Sequence, residues 1–268
     1  MKLVAIARAP TNAEEAARAV ADAAGLTLAE ARMRLAAEPP ALLARLGPDE
    51  ASAFVAALRK AGLAALAVDF PCPTDKDRTV ARSVAIHERG ASFTPRFGSS
   101  MEVLWPDVLA ILRGLRKSRT EVERTETTTK LSPGTAVLTG GLILTAKSTR
   151  TVRSSEEANE QVIIVYARGG RAATLAETQL DYSCLGADMQ PSATGNMVEL
   201  ARLLRERAKR AFYDERLLRL GRRALSFLVG GESRSQTATV TKTLTDTSGS
   251  LDTIAEVLRQ ALTEGLLP

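Results

Sequence analysis

The chain has 268 residues, of which 45% are apolar, 25% charged and only 4% aromatic. This is a globular composition with room for two domains, and its core must come mainly from Leu, Val and Ala. One histidine (His87) and two cysteines (Cys72 and Cys184) exclude most metal sites and leave little scope for histidine-dependent catalysis.

The net charge of +5 is unevenly placed. Residues 196–234 hold ten basic and five acidic side chains, whereas residues 1–70 hold eight of each. Such a local field attracts an acidic protein, an anionic lipid or a nucleic acid; the plain alternative is a solvated arginine-rich face. Two widely separated cysteines do not make a disulfide framework and fit a reducing compartment. The opening run Leu3–Ala7 is too short for a signal sequence, and no apolar run reaches eighteen residues. The expectation is a cytoplasmic protein with no transmembrane segment.

Leu3–Ala7 reads as a strand. Thr11 or Asn12 caps a helix reaching Ala24, which Gly25 stops. Thr27 and Glu30 form a capping box for a second helix to about Glu38, ended by Pro39-Pro40. Residues 41–46 are extended. A third helix follows Gly47-Pro48-Asp49-Glu50, with Phe54, Leu58 and Ala61 on one face, and Leu63–Phe70 closes the module as a strand.

This βααβαβ order carries Gly25-Leu26-Thr27-Leu28-Ala29-Glu30-Ala31-Arg32, then Pro39-Pro40-Ala41-Leu42-Leu43, and later Leu58-Arg59-Lys60-Ala61-Gly62. It resembles the C-terminal domain of the bacterial ribosomal stalk protein, where the corresponding runs are Gly-Leu-x-Leu-Lys-Glu-Ala-Lys and Leu-x-x-Ala-Gly. The resemblance covers about a quarter of the chain and rests on packing and capping positions. It implies a small α/β sandwich whose helical face docks a protein. The lysines of that family's factor-contacting face are replaced by Ala29 and Arg32, and its dimerisation region and hinge have no counterpart here, so translation-factor binding does not carry over.

Residues 71–77, with Pro71-Cys72-Pro73, read as a stiff linker with an accessible Cys72. A period of two then begins: Val80–Ile86, Ala91–Phe97 and Met101–Trp105 read as strands, with an apolar continuation to Gly114. Residues 116–135 and 147–160 are polar and read as long loops. Gln161–Ala167 is a β-branched strand, joined through Gly169-Gly170 to Ala172–Ala176. Asn196 opens a closing helix to Phe212, with Met197, Leu200 and Leu204 on its stripe. Leu104-Trp105-Pro106-Asp107-Val108-Leu109 is similar to a strand motif of bacterial pleckstrin-homology-like and GRAM-type domains. The resemblance implies a β-barrel over residues 78–212 closed by that helix; a split barrel or open sheet is the competing fold. The expected fold class is therefore α+β: the small domain, the pleckstrin-homology-like barrel and a helical tail.

Residues 213–268 complete the tail. Tyr213–Val229 reads as a basic helix turning apolar, and residues 233–250 as an edge strand or a disordered linker. A last helix carries Leu251, Ile254, Leu258 and Leu262 on one stripe. That stripe docks on the chain's own body or joins two copies through residues 251–262.

The sequence lacks the glycine-rich nucleotide loops, the zinc-binding spacings and the serine elbow. His87 reads as a turn residue, and the carboxylate pairs as caps. Nucleic-acid binding would need exposed aromatics among cations, and only Phe212, Tyr213 and Phe227 lie near the arginine-rich run. Nucleic acid is therefore disfavoured. The expected function is a non-catalytic adaptor or assembly protein without cofactor or metal, acting through protein contacts. The alternative is a peripheral binder of anionic lipid or another polyanion. Its cations are Arg113, Arg116, Lys117 and Arg119 in the first polar run, Lys147, Arg150 and Arg153 in the second, and Arg216, Arg219, Arg222 and Arg223 within the segment 202–223.

Overall fold

A computed structural model describes residues 1–131, 145–220, 232–236 and 240–268. Its elements confirm an α+β class. In chain order they are β1 (Lys2–Ile6), α1 (Ala13–Ala24), α2 (Leu28–Leu35), β2 (Ala41–Leu46), α3 (Pro48–Lys60), β3 (Ala65–Asp69), β4 (Thr79–Ile86), β5 (Gly90–Pro95) and β6 (Met101–Leu104). There follow β7 (Val108–Leu131), β8 (Thr145–Ala167), β9 (Ala172–Ala176), α4 (Ala193–Arg207), β10 (Phe212–Leu217), β11 (Glu232–Gln236), β12 (Val240–Asp246) and α5 (Ser248–Thr263).

Contacts divide the chain into two compact units. The first comprises Met1–Arg116, Asn159–Gly230 and Thr247–Pro268; the second comprises Lys117–Ala158 and Gly231–Asp246. The first unit thus runs across the boundaries expected at residues 70 and 212.

Within the first unit, β1 lies between β2 and β3 in an antiparallel sheet. Its helices start where the sequence places them. Asn12 accepts hydrogen bonds from the N–H groups of Glu14 and Glu15, and Thr27 with Glu30 closes the capping box. Both faces of the sheet are buried. Val4, Ile6, Leu43 and Ala65 pack on α1–α3, while Leu3, Ala5, Leu66 and Val68 face the opposite side. Period-two alternation sends neighbouring residues of one strand into two different cores.

A second sheet orders its strands β11-β12-β7-β8-β9-β4-β5-β6, with β10 parallel to β7. In the first unit this sheet is also apolar on both faces: Val162, Ile164 and Tyr166 point one way, Ile163 and Val165 the other. Met197, Leu200 and Leu204 of α4 cover the second face. On the first face lies α5, whose Leu251, Ile254 and Leu258 are fully buried in the same core as Leu3, Leu66 and Leu112. Gly114 permits this approach, since a Cβ there would stand 2.5 Å from Leu251 Cδ1. The described residues of the second unit are strands: β12 pairs antiparallel with residues 118–124 of β7 and with β11.

Several expectations are corrected. The strand pairings among the described residues do not close a barrel; β6 and β11 remain edges. The sheet does curl, because Arg171 after the β8–β9 turn donates to the Glu102 carbonyl of β6 at 2.8 Å. The polar runs 116–135 and 147–160 are, in their described parts, the extended β7 and β8 rather than loops. Tyr213–Leu217 is a strand, not a helix, and residues 221–229 lie outside the described residues. Residues 232–236 and 240–246 resolve the 233–250 alternative in favour of strands. The closing helix starts after Ser192, whose hydroxyl accepts from the Gly195 N–H. Asn196 is instead buried, with Oδ1 taking the Gln190 N–H. Residues 71–77 are packed rather than a free linker, with Cys72 buried and a 3-10 turn at Asp75–Asp77. The apolar stripe of residues 251–262 is inside the chain's own core, so it is not an available subunit interface. No helix among the described residues is long and apolar enough to cross a membrane.

Candidate anion-binding clefts and the buried charge seam

For five of the eleven predicted cations the structure shows the side-chain contact, and all five meet carboxylates. Arg113 is buried, donating to Glu215 at 2.6 Å and to Gln161 at 3.1 Å. Arg116 is paired with Asp75 through both terminal nitrogens, at 2.6 and 2.8 Å. Arg119 lies between Glu121 and Glu157 in the second unit. Arg216 bonds Asp214 and the Pro39 carbonyl, and Arg219 reaches Glu38 at 2.9 Å. Lys117 on β7 is also engaged. Lys147, Arg150 and Arg153 belong to β8, but their side chains lie outside the described residues, as do Arg222 and Arg223 altogether. The sequence therefore locates these cations without revealing that folding brings acids to them.

The acids that neutralise the inward arginines form a seam beside α5. Arg78, with a side chain 1% exposed, donates to Asp252 Oδ1 at 2.5 Å, to the Tyr166 hydroxyl at 3.1 Å and to the Pro73 carbonyl at 2.9 Å. Arg116 Nη2 is 3.9 Å from the same Asp252 oxygen. Burial pushes the Asp252 carboxyl up despite the two arginines. Asp75 is also partly desolvated, but its bidentate contact with Arg116 holds its carboxyl below the ordinary range. Burial drives the Cys72 thiol up to about 11, so Cys72 is a poor nucleophile at neutral pH. This seam is a structural network, with each charge answered by another.

A different set of cations remains free. At the C-terminal end of α4 the chain turns through Ala208–Ala211 into β10 and leaves a cleft of about 700 Å³. Arg205, Lys209 and Arg210 line it, are exposed, and make no ion pair among the described residues. Arg205 stacks over the Tyr213 ring at 4.7 Å. Arg202 also lines the cleft, but Glu199 and Glu206 hold its guanidinium. Arg205 lies in the last turn of α4, whose exposed carbonyls favour a cation, and Lys209 and Arg210 follow just beyond it.

A second basic cleft, of about 470 Å³, lies where β4 begins and β5 ends. Arg82, Arg96, Phe97, Ser99 and Gln179 line it, and no carboxylate does. Phe97 is 82% exposed on a turn that Gly98 makes with φ +96°, and Arg96 lies 5.3 Å from its ring centroid. Sequence reading assigns Phe97 to the end of a strand and misses it. The available signal was an aromatic flanked by Arg96 and Gly98 in a turn, where a bulky apolar residue has nothing to pack on. His87 sits exposed in the β4–β5 turn, and among the described residues no cluster of His, Cys, Asp and Glu could hold a metal ion.

No family model, no curated protein and no solved structure matches this chain.

Proposed function

We propose that the protein is a non-catalytic, cytoplasmic interaction protein that takes an acidic segment of a partner protein into the cleft at the end of α4. One observation carries the reading: Arg205, Lys209 and Arg210 converge on a concave surface without a carboxylate partner among the described residues. Glu206 also lines the recess but is held by Arg202, so the three cations leave a net positive potential that steers and retains an anionic group. Tyr213 and Phe212 add apolar and aromatic wall to the same recess, suited to a side chain interleaved among the acids. A bilayer is flat and rewards projecting apolar groups, so a recessed cleft favours a peptide over a lipid surface.

Two features support the fold kinships in this proposal. The βααβαβ order with β1 central supports a stalk-protein-like module in residues 1–70. The β4–β5–β6 meander with α4 packed on one face supports a pleckstrin-homology-like relation for the following residues, in an open rather than closed form. Both are compatible with a scaffold.

The test is fluorescence anisotropy of the full chain with a labelled Asp/Glu-rich peptide containing one tyrosine, at low and moderate salt. Binding should weaken with salt. It should fall about a hundredfold when Arg205→Glu, Lys209→Glu and Arg210→Glu are combined. Unchanged affinity in that triple variant overturns the reading. Sedimentation with phosphatidylserine vesicles without any peptide binding replaces it with the lipid alternative.

A further inference from the structure

We infer that the cleft between the start of β4 and the β5–β6 turn binds a nucleotide unit, its base stacked on Phe97 and its phosphate held by Arg82 and Arg96. This surface is separate from the α4 cleft and rests on different residues. Arg78 contributes no free charge here, because its terminal nitrogens are committed to Asp252, Tyr166 and Pro73.

Three properties coincide. First, Arg82 and Arg96 line a recess with no carboxylate and form no ion pair among the described residues, so the local charge is uncompensated. Arg82 is half-buried, and one terminal nitrogen donates to the Gln179 carbonyl at 2.8 Å. That bond fixes the guanidinium in place and leaves its other donors for a phosphate. Second, Phe97 offers a large ring to solvent at the tip of the turn, directly beside the two arginines of the recess. Thr94 and Ser100 bridge across the base of that turn at 3.0 Å, so the ring is presented from an anchored frame. Third, Arg96 already lies over the ring at 5.3 Å, which leaves the opposite face for a planar group.

A cationic recess beside an exposed ring is the combination that recognises a base and its phosphate together, since every base has a stacking face and every nucleotide a charge. A purely anionic ligand would have no use for Phe97. A purely apolar one would leave both arginines without counterions. The volume of about 470 Å³ is that of a small-ligand site. The unit could be supplied as a free nucleotide or as part of a single strand, and the probes separate these sources.

The experiment uses the full chain and four probes: labelled oligothymidylate, labelled oligouridylate, labelled ATP and a labelled DNA duplex. Single strands or ATP should bind, and the duplex, whose bases are already stacked, should bind far less. Phe97→Ala should weaken binding about tenfold, and Phe97→Leu should fail to restore it, because leucine supplies bulk but no stacking face. Removing Arg96 as Arg96→Ala should flatten the salt dependence. ATP binding alone identifies the free nucleotide as the source; strand binding alone identifies the polymer. Absence of binding to both, or affinity indifferent to Phe97→Ala, overturns the inference. So does sedimentation with anionic vesicles that Phe97→Ala abolishes and Phe97→Leu restores, because that pattern is bilayer insertion. Phe97 is exposed, so its variants are expected to keep the thermal transition of the parent, and circular dichroism verifies this.

Discussion

The seam beside α5 and the cleft at the end of α4 are built from the same residue type and use it in opposite ways. In the seam, Arg78 and Arg116 are desolvated and bound to Asp252 and Asp75. In the cleft, Arg205, Lys209 and Arg210 are solvated and unpaired. The difference is not in the cations but in what the fold brings within 4 Å of them. A buried guanidinium must be answered by a carboxylate or the chain would not close over it. An exposed one carries no such requirement and keeps its field for something outside the molecule. Counting arginines along a sequence therefore finds charge but not its use.

Removing one partner of the seam is the largest way to break this contrast. Asp252→Ala leaves Arg78 buried and without its carboxylate, and should destabilise the chain by about 3–5 kcal/mol in urea unfolding. A loss below about 1 kcal/mol would mean that the seam is solvated in solution. Replacing Asp252 together with Arg78 by apolar residues should recover much of that loss, because the pair and not either charge alone fits the site.

A middle-sized effect comes from Cys72 in the same region. Its folded pKa is raised from 9.0 to about 11 by burial, so between these values the unfolded chain releases a proton that the folded chain retains. Stability is fully present below pH 9 and is lost as pH rises toward 11, by about 2–3 kcal/mol for a shift of this size. Tyr182, raised by burial to about 12, adds to the decline at the upper end. Stability profiles of the parent and Cys72→Ala should diverge in that window, with the variant flatter.

The smallest effect on stability is expected at the cleft. Reversing Lys209 or Arg210 should alter unfolding free energy by no more than about 0.5 kcal/mol, since no ion pair is lost, and Arg205→Glu by about 1 kcal/mol, since it also gives up the stack on Tyr213. A large stability change there would place these residues with the seam and remove the contrast.

Much of the fold was legible where one physical signal dominated. The Thr27–Glu30 capping box, Gly25 as a helix stop, and the apolar, β-branched run Val162–Ala167 all predict what forms. Legibility fails where tertiary contact overrides the local pattern. In α5 the sequence displays one apolar stripe, and nothing in it marks Asp252, Thr253 and Glu256 as core residues. They are buried, because Arg78 and Arg259 meet two of those side chains with charge. Tyr213–Leu217 carries helix-like spacing, but pairing with β7 and the contact between Arg216 and Asp214 hold it extended. The polar runs in β7 and β8 lack an apolar face, so period-two reading sees only loops; their abundant threonine was the remaining hint. At the candidate clefts, the sequence indicated the segment around Arg205 but not Phe97, whose meaning depends on nothing covering it.

The position of α5 also sets the order in which the molecule can be made. Its residues are synthesised after both sheets whose faces it covers. During synthesis the helices α1–α3 can close one side of the small sheet early, from local contacts alone. Leu3, Leu66 and Val68 on the other side, and Ile164 and Tyr166 on the large sheet, share one core with Leu251, Ile254 and Leu258, and that core is incomplete until residues 248–263 leave the ribosome. The nascent chain must therefore carry two sticky surfaces through most of its translation, the circumstance in which chaperones act and in which a stalled or truncated product aggregates.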